Sequence, residues 1–328
     1  MLNIYYKLSS VNEIIPTRGD TINENGIINA LKKNFNVTIG NNKNFHNNYD
    51  IYIIRNNRDL LLKCPKDKLK IYYASPYDEE AFNYTNILTT QSKTWRDGLR
   101  KGNKFHPVLG IGKNKYPNTE CFYQVIDDSF NLNVVKSKKC IQIRKEIDSA
   151  FLIGIFGRQV SSNYPSLLLS IWDRLVQKYP EIKLLVGITK GTFPKKKNII
   201  VKNIKYENVP FYLSACDITF AGYKELTWDF TGSLKVKESG RCGIPILLGQ
   251  SYAREEDLGI NYPLFLGRNS LRYADRKQNQ DRLFFLIEKC IKDRMFLKQT
   301  SDYIYKQTEK FTITNSAIRL NNIINKYL

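Results

Sequence analysis

The sequence predicts an α/β fold divided between two domains. Three observations carry this reading. The chain has 328 residues, more than a single core usually organises and comfortable for two. Short apolar runs rich in β-branched and aromatic residues alternate with segments of helical period, as in parallel sheets covered by helices. Finally, Gly232-Ser-Leu-Lys-Val-Lys-Glu-Ser-Gly-Arg-Cys-Gly-Ile-Pro-Ile246 reads as loop, short helix, glycine turn and buried strand. Within it Lys235 and Glu238 are spaced i, i+3 and share a helix face. Gly243 suits the left-handed residue that closes the helix. The backbone N–H groups near Ser233 and Leu234 open the helix, where free donors and the positive dipole end favour a phosphate. A carboxylate one turn further in can accept hydrogen bonds from sugar hydroxyls.

Composition sets the bounds. With 42% hydrophobic and 25% charged residues, a sizeable core can be buried. No apolar run reaches membrane-spanning length, and the polar-interrupted start, Met-Leu-Asn-Ile-Tyr-Tyr-Lys-Leu, does not read as a signal peptide. The six cysteines form no C-x-x-C pair, which argues against a zinc ribbon or disulfide scaffold and fits a reducing cytosol. Lys and Arg number 51 against 31 Asp and Glu, a net charge of +20. Such a chain is drawn to polyanions: nucleic acid, an anionic membrane face or an acidic glycan. A lysine excess without functional meaning is the plainer alternative.

Taken in order, residues 2–8 form a first strand. Pro16–Asp20 is a loop with Gly19 as its turn residue. Ile22, Ile27, Ile28, Leu31 and Phe35 lie near helical spacing, and Asn36–Ile39 is the next strand, so the chain opens as a βαβ unit. Tyr49–Ile54 and Leu69–Ala74 are further strands. Ligands of open α/β sheets sit beyond the carboxyl ends of strands, which makes Tyr73, Ser75 and Asp78 candidate contacts. Asp78 has the chemistry to orient or deprotonate a hydroxyl; equally, Asp78 and Glu79 suit the start of a helix. Ile87–Ser92 followed by Lys93–Leu99 reads as strand, cap and helix. His106, beside Pro107, reads as structural. Residues 131–140 are polar and Lys-rich, as in a linker.

In the second half Phe151–Phe156 is a buried strand, followed by Gly157 and Arg158. Glycine lets a backbone approach phosphate closely, and arginine offers a planar fork of donors that matches phosphate oxygens; a surface arginine is the alternative. Pro165–Leu175 has the spacing of a helix. Lys183–Gly187 and Ile199–Val201 are strands, with Lys195–Lys197 a solvated charge run. Glu207–Phe220 is a helix and then a strand. Tyr252–Gly259 reads as a charged loop. Asp281–Ile291 and Ile313–Leu328 are amphipathic helices.

Several of these segments together resemble one family. Gly232–Ile246 is similar to "P-x-K-x-x-E-x-x-x-x-G-x-P-[VI]" of retaining, nucleotide-sugar-dependent glycosyltransferases of the GT-B fold. Gln124-Val-Ile-Asp-Asp-Ser-Phe130 resembles their "N-G-V-D-x-x-x-F". Ile143–Arg158 resembles "L-R-x-x-L-G" followed by "V-I-G-Y-V-G-R". Lys183–Gly187 resembles "L-x-I-V-G", and Glu207–Phe220 resembles "V-P-x-Y-L-S-A-C-D-V-x-V". The resemblance is specific over residues 120–250 and architectural over 1–110.

The resemblance implies two Rossmann-like domains facing a cleft, with a C-terminal helix crossing back to the first. Residues 1–120 would be the acceptor domain, 121–149 the linker, 150–305 the nucleotide-sugar domain and 306–328 the last helix. It implies transfer of a sugar from a nucleotide-sugar donor to an acceptor hydroxyl, with a glycan or lipid-linked glycan favoured. Gly157, Arg158, Ser233, Leu234, Lys235 and Glu238 would bind the donor. Gly19, Tyr73 and Ser75 would lie on the acceptor side, with Asp78 the candidate catalytic group. Retention of configuration is implied. No cofactor or metal is expected, because basic side chains and a helix dipole would neutralise the leaving diphosphate; Asp127-Asp128 is accordingly not a metal motif. A cytoplasmic location is expected, or a peripheral one at the cytoplasmic membrane face. The chain departs from the family at Asn163-Tyr164, where a lysine is usual, and at Phe230, where a first glutamate is usual, with Asp229 one residue off. It also lacks a histidine in the loop after Tyr73. The alternatives are a transferase acting on DNA, a degenerate polyanion-binding protein of the same fold, and, more weakly, a sugar-nucleotide epimerase.

Overall fold

The computed structural model describes residues 1–8, 19–40, 45–46, 48–55, 57–73, 79–91, 93, 96–97, 100, 116–157, 165–188, 192–222, 232–268, 270–271 and 273–328. The chain divides into two units. The first comprises Met1–Asp127 with Lys310–Leu328, and the second Asp128–Asp229 with Ser233–Glu309. The boundary between the units, after Asp127, falls within residues 121–149.

The first unit is built on a six-stranded sheet in the order β2-β1-β3-β4-β5-β6. Its strands are β1 Asn3–Lys7, β2 Asn36–Gly40, β3 Ile51–Arg55, β4 Leu69–Tyr73, β5 Ile87–Thr90 and β6 Thr119–Cys121. Every pairing is parallel. Both faces of a parallel sheet are covered, so its strands read as near-continuous apolar runs. Ile51 to Ile54 of β3 are accordingly buried without alternation. On one face Ile4, Tyr6, Ile53 and Ile71 pack with residues of helices Gly19–Leu31 and Ile313–Asn325. On the other, Tyr5, Tyr52 and Tyr72 form a layer with Leu60 and Leu61 of the short helix Arg58–Lys63.

The last helix belongs to this first unit, as the resemblance implies. Thr312 caps it by accepting from the Asn315 N–H at 3.3 Å. Its buried stripe, Ile313, Ala317, Leu320 and Ile324, has the i, i+4, i+7, i+11 spacing of one helix face. The Ile126 N–H donates to Phe311 O at 2.9 Å, and Ile126 and Thr312 form a parallel bridge. Beyond the helix, Lys326 and Tyr327 both donate to Glu120 Oε1 at 2.8 Å.

The second unit carries a second parallel six-stranded sheet, in the order β12-β11-β10-β7-β8-β9. Its strands are β7 Phe151–Phe156, β8 Ile182–Ile188, β9 Ile199–Asn203, β10 Ile218–Ala221, β11 Ile246–Gln250 and β12 Phe265–Arg268. The chain adds strands on one side of β7, then returns to the other with β10. The reversal therefore lies between β7 and β10, where open α/β sheets bind ligands at the carboxyl edge. All six residues of β7 are buried. Against it packs the amphipathic helix Ser166–Lys178, whose Trp172 is fully buried. The indole N–H finds its partner in Lys197 O at 2.9 Å, as a buried indole requires. Asp217 pins the start of β10 by accepting from the Leu152 N–H and from Arg144, each at 2.7 Å.

Two segments differ from the sequence expectation. Residues 131–140 hold a 3-10 turn, Leu132–Lys136, and the first residues of a helix, Lys138–Ile147. Tyr252–Gly259 is no loop: Tyr252–Leu258 is a helix, capped by Ser251 and closed by Gly259. Its buried face includes Arg254 and Asp257 beside Ala253 and Leu258. Charged residues on the inner face hide the apolar period, and that misled the reading.

Candidate functional site

The helix Leu234–Arg241 and the turn after β7 form the candidate site of the second unit. Ser233 stands at the N-cap in extended conformation, φ −109° and ψ 119°. The Lys237 N–H is the first to reach back within the helix, to Ser233 O at 3.4 Å. The helix thus supplies no acceptor for the N–H groups of its opening turn, which point out along the axis. Ser233 Oγ makes no capping bond; it is buried and has no hydrogen-bond partner among the described residues. A buried hydroxyl left unmatched costs about 1–3 kcal/mol, so an orphan at a helix N-terminus marks a place where a ligand oxygen fits.

The other end of the helix is closed as expected. Gly243 has φ +68°. The Ile244 N–H bonds Ser239 O and the Gly243 N–H bonds Gly240 O, both at 2.9 Å, which is the paired bonding of a Schellman motif. Ser239 Oγ donates to Ile244 O at 2.8 Å and lies 2.7 Å from Thr219 Oγ1 of β10. These contacts lock the helix to the strands on either side of its loop.

Gly157 ends β7 with φ +106°, a region L-residues with side chains rarely adopt. Its N–H continues the ladder to Gly187 O at 2.9 Å. A Cβ at this position would stand 2.9 Å from Lys235 Cε and 3.0 Å from Lys235 Nζ. The Lys235 ammonium therefore lies against the glycine, and the positive φ disfavours any residue with a side chain there. Lys235 is partly exposed. Gly157, Lys235, Ser233 and the open end of the helix converge at the carboxyl edge of β7.

Glu238 lies one turn inside the helix and is 6% exposed. Tyr206 donates its hydroxyl to Glu238 Oε1 at 2.8 Å, and its ring packs against Phe130 at 5.8 Å between centroids. Tyr206 holds one carboxylate oxygen in place. Sequence reasoning did not find it, because the contact spans thirty-two positions of chain without a motif. Nor did it find the pair Lys237–Asp257, at 3.0 Å with side chains 0% and 2% exposed. That pair joins the inner face of the helix to the helix Tyr252–Leu258.

The expected acceptor-side residues lie in the first unit. Gly19 begins the helix Gly19–Leu31. Tyr73 ends β4 and is 1% exposed. It accepts from Asn23 Nδ2 at 3.2 Å, and the Arg55 guanidinium sits 4.6 Å from its ring centroid. Burial raises its phenol pKa. Arg55 also pairs with the fully buried Glu24 at 3.5 Å. Tyr73 is thus one member of a buried polar cluster, which the spacing of the sequence did not signal. Ser75, Asp78 and Arg158 lie outside the described residues. Among the described residues, no group of His, Cys, Asp and Glu is placed to hold a metal ion, and no helix is long and apolar enough to cross a membrane.

No family model matches the sequence, and no curated protein matches it. Solved structures do match, over nearly the whole chain. A glycosyltransferase from Rickettsia africae is similar at TM-score 0.70 and 11% identity, covering 99% of this chain and 98% of that one. Sucrose-phosphate synthase from Thermosynechococcus elongatus is similar at TM-score 0.68 and 12% identity, covering 99% of each chain. Anabaena HepE, solved in complex with UDP and glucose, is similar at TM-score 0.67 and 13% identity, covering 99% of this chain and all of that one. The fold is GT-B. At this identity the likeness is one of fold, and the chemistry must be argued from the residues above.

Proposed function

We propose that the chain is a glycosyltransferase that moves a sugar from a nucleotide-sugar donor to an acceptor hydroxyl. The observation that carries the reading is the convergence at β7. There a glycine at φ +106°, an ammonium lying on it, an orphaned serine hydroxyl and an open helix end meet. Each suits an oxyanion, and together they suit a diphosphate.

In this reading the diphosphate lies across Gly157 and the N–H groups after Ser233. Lys235 lies beside it, and Arg158 is the second cation. As the sugar leaves, negative charge grows on the departing diphosphate. Preorganised donors stabilise that charge without reorganising in the act. Glu238, held by Tyr206, accepts hydrogen bonds from ribose hydroxyls with its remaining capacity. No metal is needed on this account, and the sugar keeps its anomeric configuration; both follow the family resemblance. HepE has also been solved in complex with UDP-glucose, which makes a uridine nucleotide the first donor to try. Asp78 is the candidate group for the acceptor hydroxyl, and a glycan or lipid-linked glycan is the favoured acceptor.

The test is release of nucleoside diphosphate from a panel of nucleotide-sugars offered with glycan acceptors, in the presence of a metal chelator. Release by the wild type, reduced at least about tenfold by Lys235→Ala, supports the reading. No release from any donor, or release indifferent to Lys235→Ala, contradicts it.

A further inference from the structure

A second cationic pocket lies at the carboxyl end of β12, the outermost strand of the second sheet. It measures about 440 Å³, and its lining includes Arg268, Arg276, Arg282, Tyr273, Gln278 and Asn279. Among the described residues, no carboxylate lines it. Three guanidiniums on one concave surface repel one another unless anions answer them.

Each guanidinium is held differently. Arg268 donates to Glu255 Oε1 at 2.6 Å and stacks over the Tyr252 ring at 4.1 Å, so its charge is largely met. Arg282 donates from Nη2 to Phe265 O at 2.9 Å, a neutral partner that fixes the fork and leaves its charge uncompensated. Arg276 stacks on the Tyr273 ring at 3.9 Å. Stacking occupies the face of a guanidinium and leaves its N–H edge available for hydrogen bonds. The nearby acid Asp281 is engaged by Arg174 at 2.6 Å, and the exposed Asp275 is not part of the lining. The helix Lys277–Lys292 also begins here, with no acidic residue in its first turn and no side-chain cap from Arg276. Its positive end adds to the same potential. Two fixed planar forks without a protein carboxylate between them match a tetrahedral oxyanion.

We infer that this pocket is a second phosphate-binding site, taking a phosphate monoester group borne by a small molecule or by an anionic lipid headgroup. It is separate from the Gly157–Lys235 seat. The two stand at the same edge of the sheet, but β11 and β10 lie between β12 and β7, a separation of roughly 14 Å at ~4.8 Å per strand. One phosphate cannot occupy both.

Calorimetric titration of the full chain with inorganic phosphate tests the inference. The wild type should bind at two independent sites. Arg276→Gln with Arg282→Gln should weaken one of them by about tenfold or more and leave the other, while Lys235→Ala should do the reverse. Arg276 and Arg282 are exposed, so both variants should keep the wild-type melting temperature; Arg276→Lys with Arg282→Lys, which keeps the charge and removes the fork, should bind between the two. An isotherm unchanged by the double Gln substitution, or a single site that vanishes with Lys235→Ala, overturns the inference. Flotation with phosphatidylcholine vesicles, with and without phosphatidic acid, separates the sources. Capture that needs phosphatidic acid and both arginines assigns a lipid headgroup; phosphate binding without capture assigns a small ester. A wild type that binds phosphate only at the arginine site, with no component sensitive to Lys235→Ala, would count against the donor reading and leave this one standing.

Discussion

Lys235 is the residue on which the proposed donor site turns. Its ammonium lies against Gly157, and it stands in the first turn of the helix Leu234–Arg241. Lys235→Ala should weaken nucleoside diphosphate binding by about tenfold to a hundredfold, the worth of a hydrogen bond to a charged group. Denaturant stability should change little, since the side chain is partly exposed; a binding assay beside a urea melt checks both. Gly157→Ala is the harsher change. It places a side chain at φ +106° and drives it into the lysine, so it should cost both stability and binding. At this scale the places of Gly157 after β7 and of Lys235 and Glu238 on one helix were legible, because a glycine after an apolar run and an i, i+3 spacing are local patterns. Tyr206 was not: its bond to Glu238 depends on how distant segments pack, which no local pattern encodes. The buried cluster around Tyr73 was missed for the same reason, since Asn23, Glu24 and Arg55 sit on separate elements.

At the scale of elements, the placement of the helix Leu234–Arg241 depends on a buried charge pair. Lys237 and Asp257 are almost wholly removed from water. Removing one member takes its buried ion pair from the other, at about 3–5 kcal/mol, whereas replacing both with apolar residues is often neutral. Lys237→Met alone should therefore destabilise the protein by that amount, and Lys237→Met with Asp257→Leu should recover most of it; denaturant titration of the three proteins decides. A second element contact is pH-dependent. Glu288 of the helix Lys277–Lys292 accepts from Lys178, Lys292 and Tyr179. Those hydrogen bonds, Lys178 first, hold its pKa down to about 2, against roughly 4.3 in an unfolded chain. The folded state thus favours the ionised form, so the stabilisation is full above the unfolded value and is lost as pH falls toward 2. The stability gap between wild type and Glu288→Gln should be open at pH 6 and close over that window. Element legibility followed the apolar period. β7 and the helix Ser166–Lys178 were plain, whereas Tyr252–Leu258 was hidden because Arg254 and Asp257 occupy its inner face.

At the scale of the whole molecule, the chain builds two parallel sheets of six strands and then returns its last helix to the first. That return is part of the first unit's core. Leu320 is 1% exposed and Ile324 is buried completely. Leu320→Ala should cost about 2–5 kcal/mol, read as a lower urea midpoint for the first unit. The two-domain plan was legible because length, alternation of elements and the order of family-like segments agree. The acceptor was not, because the resemblance is specific over residues 120–250 and only architectural over 1–110. The net charge of +20 names a class of partner without naming a residue. The measurement closest to the central claim is a calorimetric titration of nucleotide-sugars and free nucleotides into wild type, Lys235→Ala and Glu238→Gln. The account predicts selective binding of one nucleotide class, weakened in Lys235→Ala through the diphosphate and in Glu238→Gln through the ribose. Binding of no nucleotide, or equal binding by all three proteins, would contradict it.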